Sequence, residues 1–201
     1  TAFHVQMIHP GLTFSLVVVS PHPSSPPEML SRLSRVSPDT TESEIDSVKK
    51  NSTFIFTHKH ADHYSKSLLN KMEGNKYGPW NIDEVKNIEK TISNFTIESF
   101  KTEHSVFGIS FEHYSYLIIW HNKRILISGD TENADTIAKI SKIDWLFAPV
   151  WLLIDAKEKS IKIDAEKIGL YHIGQKDKIT TTDSKIHLLH NPGDVLVVPF
   201  D

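Results

Sequence analysis

The sequence predicts a layered α/β protein, with two β-sheets packed together and helices outside. Two observations carry that expectation. Apolar, β-rich runs come first as a block, then alternate with segments of helical period, and the pattern recurs in the second half. The chain has 201 residues, of which 39% are hydrophobic and 23% charged. Those are ordinary values for a globular chain able to bury one core, so a single domain over residues 1–201 is expected.

Taken in order, Phe3–Ile8 and Thr13–Val19 read as two strands. His9-Pro10-Gly11 supplies turn chemistry for a hairpin between them. Ser20–Pro27 carries four prolines and reads as a loop. Glu28–Val36 is expected to form a short helix. Thr41-Glu42-Ser43-Glu44 resembles a capping box before Ile45 and Val48 at helical spacing. A strand over Thr53–Thr57 and a short helix over Lys66–Met72 follow. Gly74–Asn81 reads as a loop whose Tyr77 and Trp80 either wall a substrate pocket or pin the loop by burial. Ile82–Ile92 is expected as a helix, or a helix plus a turn. Thr96–Lys101, Ser110–Trp120 and Arg124–Ser128 are expected strands, the last two joined by a turn at His121-Asn122-Lys123. Asn133–Ser141 is a helix with Ile137 and Ile140 on one face. Trp145–Val150, Ile168–Tyr171, Ile186–Leu189 and Val195–Val198 complete the strands, the last two flanking a turn at Asn191-Pro192-Gly193-Asp194. No repeat of solenoid period and no low-complexity tract is present.

Composition narrows the function. A net charge of -3 gives no basic footprint for nucleic acid. The absence of cysteine removes disulfides, thiol catalysis and thiolate metal sites together. No apolar run approaches membrane-spanning length, so no membrane partner is expected. Thr1 in place of Met points to a trimmed N-terminus, which leaves cytoplasmic and exported locations both open.

Chemistry concentrates at Thr57-His58-Lys59-His60-Ala61-Asp62-His63-Tyr64-Ser65. Three histidines and an aspartate follow directly on the apolar run Phe54-Ile55-Phe56. A rigid strand can aim such a loop. His58 and His60, two apart, point to one side in extended geometry, while Asp62 and His63 can face a second centre. Imidazole and carboxylate suit zinc and neighbouring divalent ions. Three later residues stand where an expected strand ends: His104 after Thr96–Lys101, Asp130 after Arg124–Ser128, and His172 after Ile168–Tyr171. Gly129 allows close backbone approach beside Asp130. Loops at one sheet edge can bring such residues together.

In order and spacing, His58-Lys59-His60-Ala61-Asp62-His63 followed by His104, Asp130 and His172 resembles the metallo-β-lactamase-fold hydrolases over nearly the whole chain. Thr102–Ser105 and Ser128-Gly129-Asp130-Thr131 resemble most the branch of ascorbate-6-phosphate lactonase-like proteins. The resemblance implies a four-layer αββα sandwich, the metallo-β-lactamase/ribonuclease Z-like fold. It implies a first metal site of His58, His60 and His104, a second of Asp62, His63 and His172, and Asp130 bridging two divalent ions. Zinc is the first choice, and manganese, iron or nickel suit the same ligands. Family members commonly carry an aspartate after the early hairpin; here Ser20 stands in that place. The N-terminal part is also short for the family, which implies a missing opening strand.

The expected chemistry is hydrolysis of an ester, lactone or phosphoester in a small molecule. Two ions about 3.5–4 Å apart would share a hydroxide, with Asp62 orienting it besides ligating. His113, Tyr116, Glu132 and Tyr64 are the candidate proton donors, each more readily explained as structural. His187 and His190 lie near the last strand pair, where one could reach the site, but His190 before Asn191-Pro192-Gly193 reads more simply as a turn-flanking residue. The alternatives are a nuclease of the same fold and a non-enzymatic metal-binding or scaffold protein. Self-association stays open.

Overall fold

The computed structural model describes residues 2–9, 12–19, 53–59, 75–90, 92, 94–106, 108–173, 177–190 and 195–198, the first two segments as backbone. The helices expected at Glu28–Val36, after Thr41 and at Lys66–Met72, and the loop Ser20–Pro27, lie outside them.

Among the described residues the strands form three sheets. Strands β1 (Ala2–His9) and β2 (Leu12–Val19) pair antiparallel over their whole length as the expected hairpin, and β11 (Val195–Val197) joins β1 in parallel. Strands β3 (Thr53–Ile55) and β4 (Asn75–Tyr77) form a short parallel pair. The remaining strands are β5 (Phe95–Val106), β6 (Ile109–Trp120), β7 (Lys123–Ile127), β8 (Ile143–Pro149), β9 (Ala165–Tyr171) and β10 (Ile186–Leu188). They make one mixed sheet of order β10-β9-β8-β7-β6-β5, antiparallel from β5 to β7 and parallel from β7 to β10.

The large sheet is buried on both faces. On one, Ile97, Tyr116, Ile118, Ile125, Trp145 and Phe147 share a core with Ile55, Tyr77 and Leu196 from the two smaller sheets. On the other, Leu117, Leu126 and Leu146 pack under two helices, α1 (Ala134–Ile137) and α2 (Val150–Glu158). Alternate residues of one strand thus serve opposite cores, because side chains alternate across a strand. Burying each such aliphatic side chain contributes about 1.5–3 kcal/mol. The result is a mixed β-sheet flanked by helices in an αββα-like arrangement.

Several boundaries differ from the sequence expectation. Gly74–Asn81 is not all loop, since Asn75–Tyr77 adds a strand beside β3 through backbone pairing, which leaves no apolar pattern to read. Within it Tyr77 is buried, whereas Trp80 is 40% exposed and leans on Phe56. The expected α-helix at Ile82–Ile92 is a 3-10 segment, Pro79–Lys90, interrupted at Asn81. Ile82, Val85 and Ile88 turn inward, a spacing of three that fits three residues per turn. The helix from Asn133 is one α-turn. Asn133 caps it by accepting from the Thr136 amide. The Ala138 to Ala134 bond then gives way to tighter i to i−3 bonds at Lys139 and Ile140. Ile137 and Ile140 are both buried, as their spacing suggests. The strand expected to run through Val150 stops at Pro149, whose extended backbone begins α2.

Asp155 and Lys159 both join the two helices, Lys159 through Asp135 at 3.0 Å. Asp155 on α2 accepts from the Ala134 amide and from Lys159 Nζ, each at 3.0 Å. The Ala134 amide, then Lys159, holds its carboxyl below the usual carboxylate range. A depressed pKa contributes stability above the ordinary value, and that contribution is lost as pH falls through the folded one. Asp155→Ala is therefore expected to lower Tm at neutral pH, with the gap to wild type closing on acidification. A gap constant into strong acid would contradict the assignment.

Strand directions place the site. Because β6 opposes both its neighbours, β5, β7, β8 and β9 all run the same way. The C-terminal part of β5 and the segments after β7 and β9 therefore lie at one edge of the sheet. The start of β6 lies there too. In open α/β sheets this edge is where ligands bind.

Candidate metal centre

His58 reaches that edge from the end of β3. Phe54 and Ile55 are buried, and the chain runs on antiparallel to the start of β6. The Tyr114 amide donates to Thr57 O at 2.8 Å. The Tyr116 hydroxyl donates to Phe56 O at 2.9 Å. Burial pushes the Tyr116 phenol up, so it stays a donor across the working pH range. His58 itself is fully buried.

His104 comes from within β5. The sequence places it beyond the end of a strand Thr96–Lys101, and the structure corrects this. Pairing continues through Thr102↔His113, His104↔Phe111 and Val106↔Ile109. Thr102 and His104 are buried while Glu103 and Ser105 are exposed. Alternation persists, but the buried positions are polar, so hydrophobicity does not reveal it. The His104 and His58 rings meet edge to face, 4.8 Å between centroids.

Asp130 follows β7 at the second residue of the turn Gly129-Asp130. Ligand atoms of His58, His104 and Asp130 all lie within 4.8 Å of one another, and all three residues are buried. Around one tetrahedral ion with bonds of about 2.0–2.2 Å, ligand atoms stand roughly 3.3–3.6 Å apart. Two imidazoles and a carboxylate are a donor set suited to zinc or a similar divalent ion.

His172 contacts the same carboxylate. Its Nε2 is 3.1 Å from both Asp130 oxygens. Its backbone is left-handed, with φ of 57°. That conformation costs a non-glycine residue about 1–2 kcal/mol, and such strain gathers at functional sites. The Trp151 ring packs on the imidazole, 4.5 Å between centroids.

The backbone beneath the carboxylate is held by several hydrogen bonds. The Asp130 amide donates to His113 Nε2 at 2.9 Å, and Asp130 O accepts from Trp151 Nε1 at 3.1 Å. Gly129 O accepts from the Tyr171 hydroxyl at 2.7 Å and from Ser128 Oγ at 2.8 Å. Thr131 Oγ1 donates to Glu103 O at 2.8 Å, tying this turn to β5. Burial, with the nearby Asp130 charge, pushes the Tyr171 phenol well up, so it remains a donor.

His60, Asp62, His63 and Tyr64 lie outside the described residues. Among the candidate proton donors, Tyr116 and His113 have their polar atoms engaged within the fold, and Glu132 is exposed. His187 packs against Trp145 and, like His190, is half-buried. Trp151, Tyr171, Thr102 and Ser115 were not singled out by sequence. Trp151 is hidden by the misread end of β8. The three others carry only the weak signal of polar side chains that β-register brings opposite one another.

No family model matches the chain, and no curated protein does. Among solved structures, one described as a metal-dependent hydrolase from Parabacteroides distasonis is 20% identical, over 72% of this chain and 74% of that one, with a TM-score of 0.49. The metallo-β-lactamase-fold protein YhfI from Bacillus subtilis is 18% identical, over 79% of this chain and 74% of its own, with a TM-score of 0.44. A Thermotoga maritima protein described as a Zn-dependent hydrolase of the metallo-β-lactamase superfamily is 15% identical, over 63% and 61%, with a TM-score of 0.36. The likeness is distant and partial. No helix among the described residues is long and apolar enough to cross a membrane.

Proposed function

We propose that this chain is a metal-dependent hydrolase of the metallo-β-lactamase kind, a single domain acting on a small molecule with an ester, lactone or phosphoester bond. The observation that carries the reading is the meeting of His58, His104 and Asp130, from three separate parts of the chain, in one buried cluster. Two histidines and an aspartate from distant parts of the chain converging in a buried place is a specific arrangement. In the proposal these three residues hold one divalent ion, with His60 completing that site. Asp62, His63 and His172 would hold a second, and Asp130 would bridge. Zinc is the first candidate and manganese, iron and nickel follow. When bound, such ions supply Lewis acidity and a nucleophilic water near neutral pH.

The chain's own residues have three tasks. Asp130 presents its carboxylate from a backbone held by His113, Trp151 and Tyr171, so the centre is preorganised. His172, its ring packed on Trp151, contacts both oxygens of that carboxylate. Burial of His58 and His104 keeps competing water from the cluster and strengthens electrostatic interactions there. The lactonase-like branch is proposed only from the likeness of Thr102–Ser105 and Ser128-Gly129-Asp130-Thr131.

The test loads chelator-stripped protein with Zn2+ or Mn2+ and assays a panel of small esters, lactones and phosphodiesters. The expected result is metal-dependent turnover of at least one class, removed by chelation. Tight metal binding without turnover of any class would favour a scaffold instead. Salt-sensitive RNA binding with RNA cleavage would favour the nuclease reading.

A further inference from the structure

His113 lies among the proposed ligands without being one of them. Its ring centroid is 5.1 Å from that of His58 and 5.7 Å from that of His104. It is fully buried. Its protonation pattern follows from its hydrogen bonds, taken from both ends. At one end the Asp130 amide points at Nε2, 2.9 Å away, so Nε2 carries no proton. At the other end Ser115 commits its one hydroxyl proton to Ser128 O at 2.7 Å. Thr102 Oγ1, 3.2 Å from Ser115 Oγ, must then be the donor of that pair. Thr102 is left with lone pairs toward His113 Nδ1, 2.6 Å away, so Nδ1 bears the ring's proton. Both ends give the same neutral tautomer.

We infer that His113 is a positioning residue: Thr102, Ser115 and Ser128 fix its ring so that Nε2 accepts the Asp130 amide and aims that carboxylate at His58 and His104. The inference rests on the metal-dependent reading above and extends it to a residue that contacts no proposed ion. Gly129 fits the same requirement, since a Cβ there would stand 2.4 Å from His113 Nε2. The ring therefore approaches the turn as closely as a glycine permits.

Two substitutions separate the ring's two contacts. His113→Asn places an amide where Nδ1 was, keeping a donor for Thr102 and losing the acceptor for Asp130. His113→Gln reaches the Nε2 position and restores that acceptor. Zn2+ affinity is measured by competition with a chromophoric chelator, alongside Tm of the metal-free proteins. The asparagine variant is expected to lose about 10–100-fold in affinity, the usual cost of losing a ligand's supporting partner. The glutamine variant is expected to recover most of that loss at a comparable Tm. Wild-type affinity in the asparagine variant, or equal weakening in both, would overturn the inference while leaving the metal site standing. A wild-type protein that takes up no Zn2+ would overturn the hydrolase reading instead. Ring 15N spectra of the metal-free wild type decide the tautomer without any variant. A protonated Nδ1 and a bare Nε2 coupled to the Asp130 amide are expected, and a protonated Nε2 would refute the assignment.

Discussion

Asp130→Ala is expected to abolish hydrolysis and to weaken Zn2+ binding by more than the roughly 10–100-fold that loss of a mere supporting partner costs. The carboxylate lies near His58 and His104 and within 3.1 Å of His172 Nε2. Its removal therefore takes away the group common to both proposed ions, and two positive charges would then approach with less negative charge between them. Asp130→Asn is the companion variant. It keeps the shape and the clamped backbone but loses the charge, so it should fold as wild type while binding metal poorly. Isothermal titration with Zn2+ reads both affinity and stoichiometry. Unchanged stoichiometry and rate in Asp130→Ala would show that the carboxylate holds no metal.

The second large effect falls on the neighbouring residue. Gly129 has φ of 63°, and an added Cβ would lie 2.4 Å from His113 Nε2 and 2.8 Å from Thr57 Cβ. The left-handed backbone alone costs alanine about 1–2 kcal/mol, and overpacking a filled interior adds about 1–3. Gly129→Ala should therefore lose roughly 2–5 kcal/mol, read as a lower urea midpoint at constant slope. Gly108 separates the two causes. It too has positive φ, 78°, but nothing lies within 4 Å of an added Cβ. Gly108→Ala should show only the backbone part, about 1–2 kcal/mol. Equal losses at the two positions would mean that the contact with His113 is not tight.

The strands of the large sheet were legible because most are apolar. Ile125, Leu126, Leu146 and Phe147 face cores on both sides of the sheet, and such runs announce themselves. The polar half of β5 was not legible. Thr102 and His104 alternate with exposed neighbours as any strand would, but the buried side chains are themselves polar. Hydrophobic periodicity fails where a strand enters a functional site. Pro149 hid α2 in a related way, since Val150-Trp151-Leu152-Leu153 continues the apolar character of β8 across the break.

Of the candidate site, the cluster of His58, His104 and Asp130, with His172 beside Asp130, was legible by residue type and by order. What brings them together was only partly so. The shared edge follows from β6 opposing its neighbours, a topological fact that a hairpin prediction between β6 and β7 contains in part. The clamp on Asp130 was not legible at all. It joins His113 on β6, Tyr171 on β9 and Trp151 on α2, which are far apart in sequence and meet through tertiary packing. His113 shows the difference most directly. As a letter it is one more histidine near others, a candidate acid. In place, with Thr102 opposite it in register, it has no proton to give toward Asp130.

The central claim is that His58, His104 and Asp130 grip a divalent cation. A crystal grown with Zn2+ and measured on both sides of the zinc absorption edge tests it most directly. The account predicts an anomalous peak about 2.0–2.2 Å from a nitrogen of each histidine and an oxygen of the aspartate. An anomalous map with no peak among those three side chains, in protein that binds zinc elsewhere or not at all, would contradict it.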